Sequence, residues 1–228
     1  MNELDQKPTW GADNNAVIAI VAVNLSIAAA LAFFKVTYYL EGFPAMDYQN
    51  EIYQNVIFVP ENLKNTPWTL FTFYWTHDNF WTLFTNLFWL IIFGNILQSN
   101  QSNKHIFPIY LYSGLLAGIT YIIHKGAVPF LGAQTGVFAL AIAACVIAPT
   151  YKVVPNIGKG IPVWVLALAY FTLTLFSFTQ TNIILNFSVV LGGLMGLIYT
   201  LLLKKEIDLG KWMHQLLRWL NNTYQPKK

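Results

Sequence analysis

The side chains that could carry chemistry in this chain are amides and hydroxyls inside long apolar segments, and four histidines outside them. The polar candidates inside the segments are Asn24, Asn86, Asn95, Gln134, Thr135 and Asn186. The histidines at or beyond the segment ends are His77, His105, His124 and His214. A threonine hydroxyl becomes an effective nucleophile only beside a base, and no Asp, Glu, Lys, Arg or His falls inside a segment. We therefore expect most of these amides to hydrogen-bond between helices rather than to catalyse a reaction.

The composition indicates that the segments lie in a membrane. Of 228 residues, 56% are hydrophobic and only 10% are charged, whereas about a quarter of the residues in a soluble chain are charged. This excludes a soluble enzyme, a disordered chain and a nucleic-acid binder, whose basic residues would cluster on one folded face. The single cysteine, Cys145, excludes a disulfide framework and a cysteine-based metal site.

Six apolar runs predict an all-α, polytopic membrane protein with six transmembrane helices. Each run has about 18–21 residues, which as a helix spans about 27–31 Å, the thickness of a hydrocarbon core. The runs are apolar all round, unlike the striped helices of soluble proteins, and backbone in lipid must satisfy its hydrogen bonds internally. The predicted spans are 16–34, 80–98, 106–123, 130–148, 161–179 and 183–203. The predicted division is 1–15 as an amino-terminal segment, 16–203 as the membrane domain and 204–228 as a basic tail.

Lysine and arginine divide unevenly between the two sides of this topology. Ten lie on the side of both termini, whereas only Lys35, Lys64 and Lys125 lie on the other side. Positive residues favour the inner side, so both termini are predicted to be cytoplasmic. The first 15 residues contain one basic residue, Lys7, which fits neither a secretory signal nor a transit peptide. We therefore expect a multi-pass protein of a bacterial cytoplasmic (inner) membrane.

Two segments outside the spans have amphipathic or aromatic character. The external connection, about 36–79, is longer than an ordinary loop and leads into an aromatic cluster. The cluster indicates either that this segment enters the outer membrane interface or that an ordinary aromatic belt flanks the second helix. That cluster contains Trp68, Phe71, Phe73, Tyr74, Trp75, Phe80 and Trp81. At the other end, apolar residues recur at helical spacing in 206–220, behind Asp208 as a plausible N-cap. The apolar face contains Leu209, Trp212, Met213, Leu216, Trp219 and Leu220, and the other face contains Lys211, His214, Gln215 and Arg218. The pattern predicts a cationic helix lying on the inner surface, or a helix that binds a partner.

Glycines at i,i+4 spacing recur in three of the later spans. The pairs are Gly114/Gly118, Gly132/Gly136 and Gly192/Gly196. Such pairs let helix backbones approach closely, so they predict one tightly packed bundle.

Four stretches carry a resemblance to a known family: PWTLFTFYWTHDNFWTLFTNLFWLIIFGNIL (67–97), IYLYSGLLAG (109–118), LGAQTGVFAL (131–140) and VVLGGLMGLIY (189–199). In this order, over about 65–203, the chain resembles the rhomboid family of intramembrane serine proteases. The stretches look like the start and body of the family's second helix, and parts of its third, fourth and sixth helices. The resemblance implies a rhomboid-like six-helix bundle with an interfacial external loop.

By resemblance, a serine on the fourth helix would be the nucleophile and a histidine on the sixth its base, but both positions differ here. Gln134 stands at the nucleophile position, or Thr135 if the register shifts by one so that Gly136 follows. The base position is Val189, or Val190 if the glycine pair is matched instead. Valine cannot accept a proton, and general-base help alone is worth roughly 10²–10⁴-fold.

The family's second helix contributes groups that hold the oxyanion, and these are partly kept. The resemblance aligns Asn86 with the family asparagine and His77 with its first histidine, whereas Thr82 replaces the second histidine. Thr69 replaces the arginine that normally follows Trp68.

The sequence therefore predicts a rhomboid-fold pseudoprotease that binds transmembrane segments of client proteins, with membrane lipids as its other partner. One alternative is an active rhomboid-type endopeptidase with a rewired site, such as Thr135 with His77 or a water. A structural subunit of a membrane complex is another. A transporter has little support, because no ionisable residue marks a pathway. We expect no metal, no organic cofactor and no nucleic acid.

Overall fold

A computed structural model describes residues 15–126, 128–154, 160–177 and 183–216, and confirms the predicted all-α class. The helices are α1 (Ala16–Leu40), α2 (Ala45–Glu51), α3 (Thr69–Thr72), α4 (Phe80–Asn100), α5 (Ile106–Ile123), α6 (Ala133–Ile147), α7 (Val163–Ser177) and α8 (Ile183–Lys204). Single 3-10 turns lie at Tyr53–Asn55, Pro60–Asn62, Phe73–Trp75 and Asn103–His105. Strands β1 (Lys152–Val153) and β2 (Ile161–Pro162) pair antiparallel, with Lys152 opposite Pro162. Apart from Asn15, the predicted amino-terminal segment lies outside the described residues.

Each of the six apolar runs contains one long helix. Four of these, α1, α4, α5 and α8, are long and apolar enough to cross a membrane. Helix α6 has 15 residues, or about 22 Å of helix, so the predicted length of 18 or more residues is wrong for it. Helix α7 is described over 15 residues, and the end of its predicted span, 178–179, lies outside the described residues. In both runs the first residues are not helical: residues 130–132 contact the external loop, and residues 161–162 form strand β2.

Helix α1 is longer than its apolar run, because nothing in the sequence stops it at residue 34. It continues to Leu40, and the chain turns at Gly42, whose φ of 78° suits a residue without a Cβ. The N–H of Phe43 then donates to the Tyr38 carbonyl at 3.0 Å, closing the helix end.

Helix α6 is the centre of the bundle. It packs most extensively against α8, α4 and α5, and much less against α7. Ten of its fifteen residues are buried. We call the end of the bundle at which α1 begins and α8 ends the tail face, and the opposite end, which carries residues 41–79, the loop face.

The predicted close approach of helix backbones occurs at only one of the three glycine pairs. A Cβ at Gly192 would lie 2.7 Å from the Ser113 carbonyl oxygen of α5, and one at Gly196 would lie 2.0 Å from the Ala139 carbonyl oxygen of α6. Helix α8 therefore sits directly on two neighbouring backbones.

The other two glycine pairs mostly accommodate side chains. On α5, a Cβ at Gly114 would lie 2.6 Å from the Tyr74 ring, and one at Gly118 would lie 2.8 Å from Leu70. Gly132 meets Phe73 in the same way. These glycines receive the external loop rather than another helix, which the sequence could not reveal because the partners are distant in the chain.

The aromatic cluster of the external loop divides into a buried part and an exposed part. Phe73 and Tyr74 are fully buried, and Phe73 packs against Phe130 at 4.9 Å between ring centroids. Phe80 and Trp81 are 66% and 70% exposed. The loop is thus anchored in the bundle by one set of rings, while the other set faces outward.

The tail segment is helical over 211–216, so the N-cap is Gly210 and the prediction of Asp208 as N-cap is wrong; Asp208 instead accepts the Gly210 N–H at 2.8 Å. Residues 217–220 of the predicted helix lie outside the described residues. His214, on the predicted polar face, is buried, whereas Trp212, on the predicted apolar face, is 53% exposed. The indole N–H of Trp212 donates to the Tyr112 hydroxyl on α5, and Met213 is buried. The tail therefore packs on the bundle through side chains of both predicted faces.

Candidate functional site

The two nucleophile-position residues, Gln134 and Thr135, lie in the first turn of α6. The turn is fixed by Gly132, whose N–H donates to the Phe73 carbonyl at 3.1 Å. A Cβ at residue 132 would lie 2.2 Å from the Phe73 ring, so only glycine lets the loop settle over the start of α6. The external loop and α6 together hold this site in place.

Thr135 is enclosed by helices on the loop-facing half of the bundle. Its exposed fraction is 0%, and its hydroxyl donates to the Gly132 carbonyl at 2.6 Å. A Cβ at Gly192 would lie only 3.3 Å from the Thr135 Cβ, so α8 presses against this side chain. The hydroxyl is therefore committed to backbone and screened from water, neither of which suits a nucleophile.

On α8, Val189 is fully buried and lies one helical turn from Gly192. It offers no proton acceptor. The structure thus packs α6 against α8 at Thr135 and Gly192, one turn from Val189, and a valine side chain cannot take up a proton.

None of the four histidines, all within the described residues, hydrogen-bonds to the Thr135 hydroxyl. His105 and His214 lie at the tail face. His124 is exposed at the end of α5, where its ring contacts Phe187. Ala117 of α5 lies beside Gly192 of α8. His124 lies about 10 Å further along the α5 axis, and so well beyond the level at which Gly192 contacts Thr135.

His77 lies in a separate cavity of about 460 Å³ on the loop face, between α1, α2 and the start of α4. Its lining includes Lys35, Tyr53 and Asp78, but neither Thr135 nor Val189. Burial lowers the pKa of His77 to about 4, and the Asp78 charge opposes that shift. The ring is therefore neutral at pH 7 and a weak base, in a cavity that no residue of α6 lines.

The two remaining oxyanion-type positions are on α4. Thr82 forms a capping box with Asn79: each accepts a backbone N–H from the other. The Thr82 hydroxyl also bonds to the Asp78 carboxylate. Asn86 lies one turn further along α4 and is half-buried. Thr82 therefore has a structural task at the helix start. Thr69, at the position of the family arginine, is buried with its hydroxyl on the Thr66 carbonyl.

Gln134 differs from Thr135 in being only half-buried. The hydroxyl of Tyr170, on α7, reaches the Gln134 carbonyl at 3.4 Å. The Tyr170 ring also packs on Trp89 and Phe93 of α4, with centroid distances of 5.4 and 5.8 Å. Tyr170 thus bridges α4 and α7 beside Gln134, a role that no spacing in the sequence indicated.

The other amides in the spans have varied surroundings. Asn24 is buried, and its amide donates to the Ile20 carbonyl of its own helix at 2.8 Å. Its side chain also hydrogen-bonds Tyr110 of α5. Asn95 lines a small cavity of about 120 Å³ beside α1, and Asn186 is half-buried on α8.

A polar contact between helices that the sequence did not single out lies at the tail face. The Asn103 side-chain oxygen accepts from the Ala16 N–H at 2.8 Å and from the Gln98 amide at 2.6 Å. The Gln98 amide also reaches the Asn15 side chain at 3.1 Å. We call Asn15, Gln98 and Asn103 the amide cluster; its members lie outside the apolar runs or at their edges, where hydropathy carries no signal.

The comparison with known families matches residues 64–206, well over half of the chain, to the Rhomboid domain. No curated protein and no solved structure matches the chain. The matched range begins in the external loop and ends after α8, so it includes α3 to α8 with Gln134, Thr135 and Val189, but not α1 and α2 beside His77.

Proposed function

Because this multi-pass membrane protein belongs to the rhomboid family, we propose that it uses the family's bundle to bind transmembrane segments of client proteins without cleaving them. The observation that carries the proposal is the buried Thr135 hydroxyl, bonded to Gly132 and facing α8 where that helix has no base. Proteolysis by this fold needs a nucleophile and a base within hydrogen-bond reach. Around those positions, α6 nevertheless packs against α4, α5 and α8.

The route for a client segment lies between α4 and α7. Tyr170 joins these helices through aromatic contacts with Trp89 and Phe93, rather than through backbone contact. Helix α7 packs mainly on α6, and its outer side is apolar, with Leu168 57% exposed. A transmembrane segment that displaces Tyr170 would meet the half-buried Gln134 amide, which can hydrogen-bond an unwound client backbone.

We further propose that the protein resides in a bacterial inner membrane with both termini in the cytoplasm, as the distribution of lysine and arginine favours. Its remaining apolar surface then contacts lipid. On this orientation the loop face is external and the tail face is cytoplasmic.

The test of client binding is site-specific photo-crosslinking in native membranes. A crosslinker at Leu168 on α7 should capture membrane proteins, and Tyr170→Ala should change their yield at least several-fold. The matched control is the same crosslinker at Leu25, which is 47% exposed on α1, away from this route. Equal adduct patterns at the two positions, or patterns shared with an unrelated six-span protein, would refute client binding.

The test of inactivity is separate and uses purified protein with a transmembrane reporter. We expect no cleavage by the wild-type chain above the background of a Gln134→Ala/Thr135→Ala variant. Cleavage that Thr135→Ala or His77→Ala abolishes would establish the rewired endopeptidase instead.

A further inference from the structure

Three side chains that can ligate metals meet at the tail face, about as far from Thr135 as the bundle allows. His105 directly precedes α5, Asp208 follows α8, and His214 lies in the tail helix over 211–216. Both imidazoles are buried, and the Asp208 side chain is 23% exposed. They come from three segments that are distant in the sequence and are brought together only by the fold.

The distances among these groups suit a shared ion better than direct hydrogen bonds. His105 Nδ1 lies 3.7 Å from Asp208 Oδ1, and His214 Nε2 lies 3.7 Å from Asp208 Oδ2. One potential ligand atom from each residue lies within 4.8 Å of the others. A hydrogen bond would bring such N and O atoms to about 2.9 Å, whereas ligands 2.0 Å from a tetrahedral Zn²⁺ lie about 3.3 Å apart.

The carboxylate is already held in one orientation by neighbours. Asp208 Oδ1 accepts from the Tyr199 hydroxyl at 3.1 Å and from the Gly210 N–H at 2.8 Å. The Tyr199 oxygen also lies 3.0 Å from His105 Nδ1. Outer groups of this kind orient ligands in metal sites, and they leave Asp208 Oδ2 directed toward His214.

The backbone passes close to this cluster at Gly210. A Cβ at Gly210 would lie 3.0 Å from His214 Nε2 and 2.7 Å from the Tyr199 oxygen. Any other residue there would push the tail away from the two imidazoles. Glycine lets the backbone pass close to the cluster.

We propose that His105, Asp208 and His214 bind one divalent transition-metal ion, with Zn²⁺ as the best fit. Two imidazole nitrogens and one carboxylate oxygen are a ligand set for Zn²⁺ and its neighbours in the first transition series, whereas Mg²⁺ and Ca²⁺ prefer oxygen ligands alone. The fourth position is filled by water, and Tyr199 stays an outer group that orients Asp208. The ion would fasten the tail to the start of α5 and the end of α8.

The experiment uses the purified full-length protein in detergent, treated with a chelator and carrying no histidine tag. Titration with Zn²⁺ by calorimetry, and with Co²⁺ by visible absorption, should each show one ion bound per chain. His214→Gln removes a ligand from a segment beyond the last span, so the bundle should still fold. We expect it to weaken binding at least about 100-fold, more than the loss of an outer group costs.

Two controls separate a metal site from a plain hydrogen-bonded cluster. His124→Gln removes an exposed imidazole at the loop face and should leave the affinity unchanged. Tyr199→Phe removes an outer group only, and should keep one ion per chain with about 10-fold weaker affinity. Less than one ion bound by the wild-type chain, or equal affinity in His214→Gln and His124→Gln, would overturn the proposal and leave a hydrogen-bonded cluster.

Discussion

Replacing Gly196 by alanine tests whether the site depends on direct contact between the α6 and α8 backbones. The added Cβ would lie 2.0 Å from the Ala139 carbonyl oxygen and 2.7 Å from its carbon. Ordinary contact requires about 3.4 Å, so α8 would have to move away by roughly 1.4 Å. That movement would also loosen the contact of Gly192 with Thr135, one turn away.

The expected cost follows from what the new methyl group meets. Overpacking a core usually costs about 1–3 kcal/mol, and a backbone carbonyl cannot rotate out of the way. We therefore expect Gly196→Ala to lower the free energy of unfolding by about 3 kcal/mol or more. Gly193→Ala is the matched control, because its Cβ would meet only the Phe138 ring. A side chain can shift, so this variant should cost about 1 kcal/mol.

The assay is reversible unfolding in mixed micelles with increasing SDS, followed by the fluorescence of the eight tryptophans. The two variants and the wild-type protein are compared under the same conditions. If Gly196→Ala cost no more than Gly193→Ala, the backbone contact would not be what joins α8 to α6. The burial of Thr135 would then not depend on that contact.

Three further predictions use the same unfolding assay. Burial lowers the pKa of His77 to about 4, below its value near 6.5 when unfolded, so the unfolded chain binds a proton that the folded chain does not. The free energy of unfolding should therefore be full above about pH 6.5 and fall by roughly 3 kcal/mol toward pH 4. His77→Gln should flatten this slope, and an unchanged slope would exclude His77 as its source. Thr135→Val removes one buried hydrogen bond and should cost about 1 kcal/mol while leaving reporter cleavage at background; a measured loss of cleavage would contradict the structural role. Asn103→Ala removes an acceptor for two hydrogen bonds and should lower the free energy of unfolding by roughly 2–3 kcal/mol. The control Asn100→Ala, at an exposed position, should change it by less than about 0.5 kcal/mol. Equal effects of the two variants would contradict the role of the amide cluster.

The sequence predicted the helices well, because an apolar run of about 20 residues has few alternatives in lipid. It predicted their ends less well. Helix α1 passes residue 34 because the chain from Lys35 to Leu40 has no breaker, whereas α6 starts late because Gly132 belongs to the loop contact. The pairing of Lys152–Val153 with Ile161–Pro162 is too short to produce a pattern.

The candidate site was predictable only where the family pattern names positions. Gln134, Thr135 and Val189 could be located in the chain, and the fold places the first two in the first turn of α6, with Thr135 against α8. The direction in which His77 lies could not be predicted, because it depends on how α1 and α2 enclose the loop face. Tyr170 was missed for a similar reason: a tyrosine in an apolar run is ordinary, and its partners on α4 are about 80 residues away.

The tail could be recognised as amphipathic, but the burial of His214 could not be predicted. Its spacing places His214 on the polar face, whereas Asp208, Tyr199 and Gly210 form a polar recess that takes it up. Periodicity reports which residues share a side of a helix and not the chemistry of the surface they meet.

The amide cluster determines how the first helix relates to the remainder of the protein. Helix α1 precedes the part of the chain that matches the family, yet Asn15 and Ala16 are joined to Gln98 and Asn103 by hydrogen bonds. Nearby, a Cβ at Gly94 would lie 2.5 Å from Val17, so α4 carries a notch shaped for α1. A chain trimmed to the matched range would leave that notch facing lipid and strip two buried amides of a partner. The range that matches the family is therefore shorter than the folding unit, and a recombinant fragment intended to be stable must include Asn15 and helix α1.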